Sequence, residues 1–199
     1  MNLVARAKAI LLTPAQEWPV IEKETTTAAE LYTGYIVPLA AIGPVARAIG
    51  SSMIGVNLGP LGYWKVSPAK AVGREVVSYV FALAGCWVLA WIIDTLAPKF
   101  GGQSNFLQAL KVAAYSATAS WVFSVFFLVP ALAVLSILGL YSLYLLYLGL
   151  PVLMKAPSDK ALGYFAVVIL AAILVFGIAA VLAAAVFPYG RPGLTLGLL

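Results

Sequence analysis

Residues 163–187 decide the fold, and they read GYFAVVILAAILVFGIAAVLAAAVF. This stretch contains no charged residue, and the phenol of Tyr164 is its only polar side-chain group. About 20 consecutive apolar residues are enough for an α-helix to cross the hydrocarbon core of a bilayer. The stretch therefore predicts a transmembrane helix, which Pro188 and Gly190 would end.

The composition of the whole chain agrees with this stretch. Apolar residues make up 63% of the 199 residues and charged residues only 10%, whereas about a quarter of the residues in soluble domains are charged. The apolar runs continue almost from end to end, which leaves no room for a separate soluble module. We expect one integral membrane domain.

Four more apolar runs precede residues 163–187. The residues from Thr27 to Glu30 have the form of a capping box, so the first long helix should begin near Ala28. Pro98 ends the second run. The fold class we expect is an all-α bundle of five transmembrane helices within residues 28–187, followed by a tail of residues 188–199. The predicted spans cover about 28–50, 75–97, 106–129, 131–154 and 163–187.

The first 27 residues predict short amphipathic helices that lie in the membrane interface. On a helical projection, one face of the first helix is apolar and the other carries Asn2, Arg6 and Lys8. The residues from Thr13 to Gln16 have the form of a second capping box with a proline at the first helical position. We expect Trp18, in the helix that follows, to act as an interfacial anchor.

The net charge of +5 does not indicate nucleic acid, because the basic residues are spread singly and form no cluster. Single lysines and arginines beside apolar spans are typical of the positive-inside rule. If the amino terminus is cytoplasmic, seven basic residues flank the spans on that side and five on the other. The seven are Arg6, Lys8, Lys23, Lys99, Lys111, Lys155 and Lys160, and the five are Arg47, Lys65, Lys70, Arg74 and Arg191.

Groups that catalyse reactions within membranes are scarce in this sequence. The chain has no histidine, which excludes a serine–histidine pair and a histidine zinc site. Asp94 has no second aspartate in a span with which to form a protease dyad. We therefore expect no catalytic residue, no cofactor and no bound metal.

Asp94 is the carboxylate that stands within a long apolar run. Charge inside a membrane is costly and usually functional, so Asp94 could belong to an ion or proton path. The interpretation we favour places it at the membrane boundary, where it would pair with Lys111 or Lys99 and have a structural role.

Arg47 lies close to the far end of the first span, where its side chain could reach the membrane boundary. Pro38 and Pro44 in the same helix leave backbone carbonyls unpaired. Those carbonyls could line a polar site, although neighbouring helices often relieve such kinks.

The third predicted helix carries three serines at one-turn spacing, Ser116, Ser120 and Ser124. Close helix packing is the interpretation we favour for this stripe. The alternative is a lipid groove in which the serines face the tyrosines of the fourth helix, Tyr141, Tyr144 and Tyr147.

Several motifs resemble the Yip-one membrane protein family. They are GLYSLYLLYLGLP at residues 139–151, PSDKA at residues 157–161, and Tyr164. Bacterial members are similar to this chain at further positions: Leu12-Thr13-Pro14, Glu17-Trp18, Ile21, Tyr32, Pro38-Leu39, Gln108-Ala109-Leu110-Lys111 and Tyr115-Ser116. The resemblance covers nearly the whole chain. It implies a five-helix protein of the bacterial cytoplasmic (inner) membrane with a cytoplasmic amino terminus.

The resemblance implies less about activity. Eukaryotic relatives act in vesicle traffic and bind small lipidated GTPases, but this sequence lacks their long amino-terminal region, so we do not carry GTPase binding over. We expect a non-catalytic protein that organises membranes or binds partners, with membrane lipids and further copies of itself as partners. The alternative is a channel or transporter for a small solute, ion or lipid, with a polar path between helices one, two and three.

Overall fold

Helices dominate this computed structural model, which describes residues 2–57 and 63–186. Five of its helical segments are long and apolar enough to cross a membrane, which confirms the all-α fold class. We call them spans one to five, and they cover Ala28–Ile54, Pro68–Phe100, Phe106–Leu128, Pro130–Leu153 and Ser158–Leu182. The predicted tail, residues 188–199, lies outside the described residues, as does position 187.

Two short helices precede span one, α1 (Leu3–Leu12) and α2 (Pro14–Lys23). The Asn2 side chain caps α1 by accepting a hydrogen bond from the Ala5 amide at 3.1 Å. The capping box expected at Thr13 does not form, because the Thr13 hydroxyl donates to the Ala9 carbonyl instead. Pro14 nevertheless starts α2, since the fixed φ of proline suits the first turn of a helix.

Span one begins with the predicted capping box, in which the Thr27 hydroxyl and the Glu30 carboxylate bind each other's backbone amides. Beyond this cap the span is irregular. It comprises α3 (Ala28–Leu31), a π-turn (Tyr32–Ile36), α4 (Val37–Ala40), α5 (Ile42–Ile49) and a second π-turn (Gly50–Ile54). Prolines without an amide hydrogen lie at positions 38 and 44, where they interrupt the regular hydrogen-bond ladder.

A two-residue antiparallel pair follows span one and joins β1 (Val56–Asn57) to β2 (Tyr63–Trp64). Span two then comprises α6 (Pro68–Leu96) and a 3₁₀ turn (Ala97–Phe100). At 1.5 Å per residue, the 29 residues of α6 measure about 43 Å, which exceeds the roughly 30 Å of hydrocarbon. The helix therefore starts before the apolar run that set the predicted boundary at residue 75.

Spans three and four form a hairpin with little connection between them. Span three comprises α7 (Phe106–Ser116), α8 (Thr118–Phe123) and a 3₁₀ segment (Ser124–Leu128). Span four comprises a 3₁₀ segment (Pro130–Leu140) and α9 (Tyr141–Leu153). Span five belongs to a single long helix, α10 (Ser158–Val186).

Span three lies at the centre of the bundle, where it packs against spans one, two and four. In its most apolar window 56% of residues are buried, against 6% in span five, which packs on spans two and four from outside. The alternating direction of the spans gathers α1, α2 and the connections around residues 101–105 and 154–157 at one end of the bundle. We call this the amino-terminal end.

Candidate functional site

A line of polar residues follows one buried face of span three. Gln108, Lys111, Tyr115 and Thr118 are spaced three, four and three residues apart, which places them on the same side of the helix. Lys111 is only 1% exposed, and Tyr115 and Thr118 are buried as well. Buried polar groups are costly unless they find partners. We call these four residues the polar stripe.

The carboxyl end of α2 contacts Gln108 and Lys111, the two residues of the polar stripe nearest the amino-terminal end of the bundle. The ammonium group of Lys111 donates to the carbonyls of Ile21 at 2.9 Å and Glu24 at 2.7 Å, and the Gln108 amide donates to the Glu22 carbonyl at 2.9 Å. The last carbonyls of a helix have no partner within the helix, and the negative end of its dipole favours a cation. The stripe therefore caps α2.

Arg6 of α1 is the second buried cation at this end. Its guanidinium forms ion pairs with Glu17 and Glu24 and lies 5.8 Å from the ring centroid of Tyr115. The sequence placed Arg6 on a polar outer face, but the structure leaves it only 8% exposed. The reason is that α2 folds back over α1 and supplies the carboxylate of Glu17, which makes burial of the charge tolerable.

Trp18 fixes α2 to span four. Its indole is fully buried against Gly149, and a Cβ atom at that glycine would lie 2.6 Å from the Trp18 Cζ2 atom. The edge of the indole also meets Tyr115, with ring centroids 6.4 Å apart. The prediction that Trp18 is an interfacial anchor is therefore wrong, since the protein encloses the side chain.

Tyr115 and Thr118, the two residues of the polar stripe farthest from the amino-terminal end, contact Tyr35 of span one. The rings of Tyr35 and Tyr115 meet edge to face at 4.6 Å. The Thr118 hydroxyl donates to the Tyr115 carbonyl, so the Tyr35 hydroxyl must donate to the Thr118 oxygen, 2.7 Å away. The hydroxyls of Tyr35 and Thr118 and the carbonyl of Tyr115 therefore form one chain of hydrogen bonds.

An exposed ion pair ties α2 to the residues after span four. The Lys155 ammonium binds the Glu22 carboxylate. The hydrogen bond from Lys155 is the main cause that holds the pKa of Glu22 below its usual value. Because the pair is exposed, it contributes little to stability, although it adds a contact between α2 and the connection that follows span four.

Polar atoms without a protein partner cluster where α1 and α2 meet the bundle. Among the described residues, Arg6 Nε, Trp18 Nε1 and Gln108 Oε1 are buried and accept or donate no hydrogen bond within the protein. A buried polar group left in this state costs about 1–3 kcal/mol. The contact is therefore less well satisfied than its ion pairs suggest.

The outer face of α1 and α2 is apolar and basic. Val4 is 73% exposed and Leu12 68% exposed, and Val20 is exposed beside them. Lys8 and Lys23 are exposed on the same pair of helices. The amphipathic character expected from the sequence is present, but it belongs to a helix pair that is packed against spans three and four.

Asp94 lies in the last turn of α6, at the amino-terminal end of the bundle, and is half-buried. Its Oδ1 atom accepts a hydrogen bond from the Ser104 hydroxyl at 2.8 Å. The expected lysine partners are placed differently, because Lys111 binds α2 and no ion pair of Lys99 is found among the described residues.

Arg47 lies at the opposite end of the bundle. Its Nε atom donates to the buried Glu75 carboxylate of span two at 2.9 Å, and its guanidinium lies 5.4 Å from the Phe127 ring centroid. Glu75 and Asp94 are 19 positions apart on span two, a rise of about 28 Å. Asp94 and Arg47 are therefore separated by nearly the thickness of the hydrocarbon core.

The serine stripe is bonded mainly to backbone carbonyls. The hydroxyls of Ser116 and Ser124 donate to carbonyls of their own helical turns, Val112 and Trp121. Ser120 contacts span four, where its hydroxyl reaches the Gly139 carbonyl at 3.0 Å and the Ser142 hydroxyl at 2.9 Å. These contacts are typical of close helix packing.

The three tyrosines of span four do not face the serines. Tyr144 and Tyr147 are exposed on the outside of the bundle, and Tyr141 packs on Tyr144 with ring centroids 5.3 Å apart. A surface groove of about 510 Å³ does lie between spans three and four, but Ser120 and Ser142 line it without any of these tyrosines.

The contacts of the amino-terminal helices were not predicted from the sequence. The polar stripe was not predicted either, although four polar residues at three-, four- and three-residue spacing in an apolar helix are a signal that could have revealed it. The partners Glu17, Glu24 and Gly149 could not be read from any local pattern. Among the described residues, no three acidic or cysteine side chains converge to hold a metal ion, and the cluster instead holds a helix pair in place.

Comparisons with known proteins agree over most of the chain. Residues 8–181 match the family described as Yip1 domain. The chain is 26% identical over 181 residues to "Inner membrane protein YohC" of Escherichia coli (strain K12), which covers 89% of this chain and 93% of that protein. The protein of the same name from Escherichia coli O6:H1 gives the same values. No solved structure matches.

Proposed function

The chain belongs to the Yip1 domain family, as the motifs in its sequence indicated, and from this premise we propose that it organises the membrane around it through α1 and α2. The role is non-catalytic. The observation that carries the proposal is the apolar and basic outer face of a helix pair held beside spans three and four. Membrane lipids are the partners that this face fits.

The position of α1 and α2 explains how the pair would act. Arg6, Lys111 and Trp18 hold the pair against span three between Lys111 and Tyr115, and α1 also packs on α8. Exposed Val4 and Leu12 then enter one leaflet, while Lys8 meets its headgroups. The protein is therefore wider in one leaflet than in the other, and such asymmetry favours a curved membrane.

The location we propose is the bacterial inner membrane, with the amino terminus in the cytoplasm. The relatives named above are called inner membrane proteins. The count of seven basic residues against five supports the orientation. Arg191, one of the five, lies outside the described residues.

Association with further copies of the chain belongs to the same proposal. In their most apolar windows, only 17% of residues in span four and 6% in span five are buried by the rest of the chain. Another copy could cover such faces as well as lipid does. Native mass spectrometry from mild detergent and from nanodiscs tests this, and a chain that is monomeric in both contradicts it.

Reconstitution into liposomes tests the membrane-shaping role. We expect the natural protein to deform or cluster vesicles that contain anionic lipid, as seen by electron cryomicroscopy. The double substitution Val4→Asp and Leu12→Asp should abolish the effect, because two carboxylates cannot enter the leaflet. The matched control is Asn2→Asp with Gln16→Asp, which adds the same charge to exposed polar positions of the same helices.

Flux measurements on the same liposomes separate this role from transport. Two observations count against a single polar path across the membrane. Asp94 and Arg47 have separate partners at opposite ends of the bundle, and the serine hydroxyls are already hydrogen-bonded within the protein. Protein-dependent ion flux or lipid scrambling that disappears with Asp94→Asn or Arg47→Ala would overturn the proposal in favour of a transporter. Vesicles that change shape without flux support it.

A further inference from the structure

We propose that α1 and α2 together form a releasable lid over the polar stripe of span three. The inference goes beyond the membrane-shaping role, because it concerns the inner face of the helix pair and not its outer face. In the closed state seen here, the lid covers the buried side chains of the stripe at the amino-terminal end of the bundle.

The lid is joined to span one by a short linker, and its buried side chains pack on the core of the bundle. Residues 24–27 are not helical and connect α2 to span one. The capping box at Thr27 and Glu30 fixes the start of span one without help from α2. The lid can therefore turn about residues 24–27 while span one keeps its own first turn.

The closed contact holds polar atoms that opening would satisfy. Arg6 Nε, Trp18 Nε1 and Gln108 Oε1 are buried at the lid without a protein partner. When the lid lifts, water can reach all three, so opening restores hydrogen bonds that the closed state lacks. Against this, the burial of Trp18 and Ile10 favours closure. Opposing contributions therefore act on the closed and the open state.

The polar groups beneath the lid extend only part of the way into the bundle. From Lys111 to Thr118 the helix rises about 10 Å, and the Tyr115 ring and the hydroxyls of Tyr35 and Thr118 lie along this distance. The next positions on the same face are Trp121, Val122 and Val125, which are apolar. An open lid would admit water as far as Thr118 and no further, which differs from a channel through the membrane.

Thiol labelling tests the lid directly in the full chain in liposomes. Thr118→Cys, a change of similar size, places a reporter under the lid, and the natural Cys86 of span two is a buried control. A membrane-impermeant methanethiosulfonate reagent is added, and labelling of each site is read by peptide mass spectrometry. We expect Thr118→Cys to react measurably faster than Cys86.

Loosening the lid should raise this rate. Lys111→Met removes the two hydrogen bonds to α2 and keeps an unbranched apolar side chain, so labelling at Thr118→Cys should rise about tenfold or more while Cys86 stays slow. Lys99→Met is the matched control, because Lys99 is exposed at the same end, and it should leave both rates unchanged. If Lys111→Met does not fold, Gly149→Ala displaces Trp18 and has the same expected result.

Hydrogen exchange on the natural chain gives an independent measure. The amides of α1 and α2 should exchange together, and faster than those of Phe106–Ser116. A common slow rate for lid and bundle overturns the proposal, and so does labelling in which Thr118→Cys and Cys86 always rise together. Failure of vesicle deformation, in contrast, affects only the membrane-shaping role.

Discussion

The Trp18 indole fills the space that Gly149 leaves open in span four, and a Cβ atom at this glycine would lie 2.6 Å from the Trp18 Cζ2 atom. Real Cβ atoms do not approach carbon so closely, so the two residues specify each other. The contact joins the amino-terminal helices to a span that follows them by more than a hundred residues.

We expect Gly149→Ala to lower the free energy of unfolding by about 1–3 kcal/mol, the usual cost of overpacking a well-packed site. Thermal unfolding in detergent, followed by tryptophan fluorescence, measures the change. Gly177→Ala is the matched control, because nothing lies within 4 Å of a Cβ atom at Gly177. Equal effects of the two substitutions would show that Trp18 does not depend on this glycine.

Arg6→Met should destabilise the attachment of α1, because it leaves the Glu17 and Glu24 carboxylates without their shared cation. Breaking a buried ion pair costs about 3–5 kcal/mol, and this is an upper bound here because Glu24 is more than a third exposed. The double variant with Glu17→Gln should recover part of the loss in a double-mutant cycle. Strictly additive losses would argue against coupling between Arg6 and Glu17.

Asp94→Asn should leave the fold intact, with a change of about 1 kcal/mol or less, because the Ser104 hydroxyl can still donate to the amide oxygen, although this hydrogen bond is weaker than one to a carboxylate. Size-exclusion chromatography and the midpoint of thermal unfolding check this. Loss of the folded peak would mean that the negative charge itself is required and would reopen a functional role for Asp94.

Gly50→Ala should lower the free energy of unfolding more than Gly34→Ala does. A Cβ atom at Gly50 would lie 2.2 Å from the Phe127 carbonyl oxygen, whereas nothing lies within 4 Å of one at Gly34. Because the obstacle is backbone, span one would have to move away from span three, so we expect a loss of at least about 1–3 kcal/mol. Thermal unfolding of the two variants measures the difference. Equal stability of Gly50→Ala and the natural chain would contradict the close approach of Gly50 to the Phe127 backbone.

The ion pair between Glu22 and Lys155 should make the attachment of α2 depend on pH. Lys155 holds the pKa of Glu22 below the ordinary 4.5, so the contribution of the pair is present above that value and is lost as the pH falls through the lowered pKa. The difference in unfolding midpoint between the natural chain and Lys155→Met should therefore be larger at pH 7 than at pH 3. A difference that does not change with pH would show that the pair contributes nothing.

The five spans could be predicted because each long apolar run carries its own signal, independent of the rest of the chain. The positions of Trp18 and Arg6 could not. A tryptophan and an arginine near the start of an apolar chain usually lie at the membrane interface, and only Gly149 and Glu17, on other elements, reverse that preference. The ion pair between Arg47 and Glu75 was not predicted either. The sequence placed Glu75 at the start of span two, whereas α6 begins at Pro68 and Glu75 lies inside the helix.

The anchors of α1 and α2 are synthesised long after the helices themselves. Glu22 and its partner Lys155 are 133 positions apart, which corresponds to on the order of ten seconds of translation at typical rates. For the first two thirds of that interval Lys111 has not been made, and Gly149 is made only near its end, while an amphipathic helix without a docking site binds the nearest bilayer surface. We therefore expect the nascent chain to hold its first two helices on the membrane surface until span four is inserted, so that Trp18 is seated only after four of the five spans have been made.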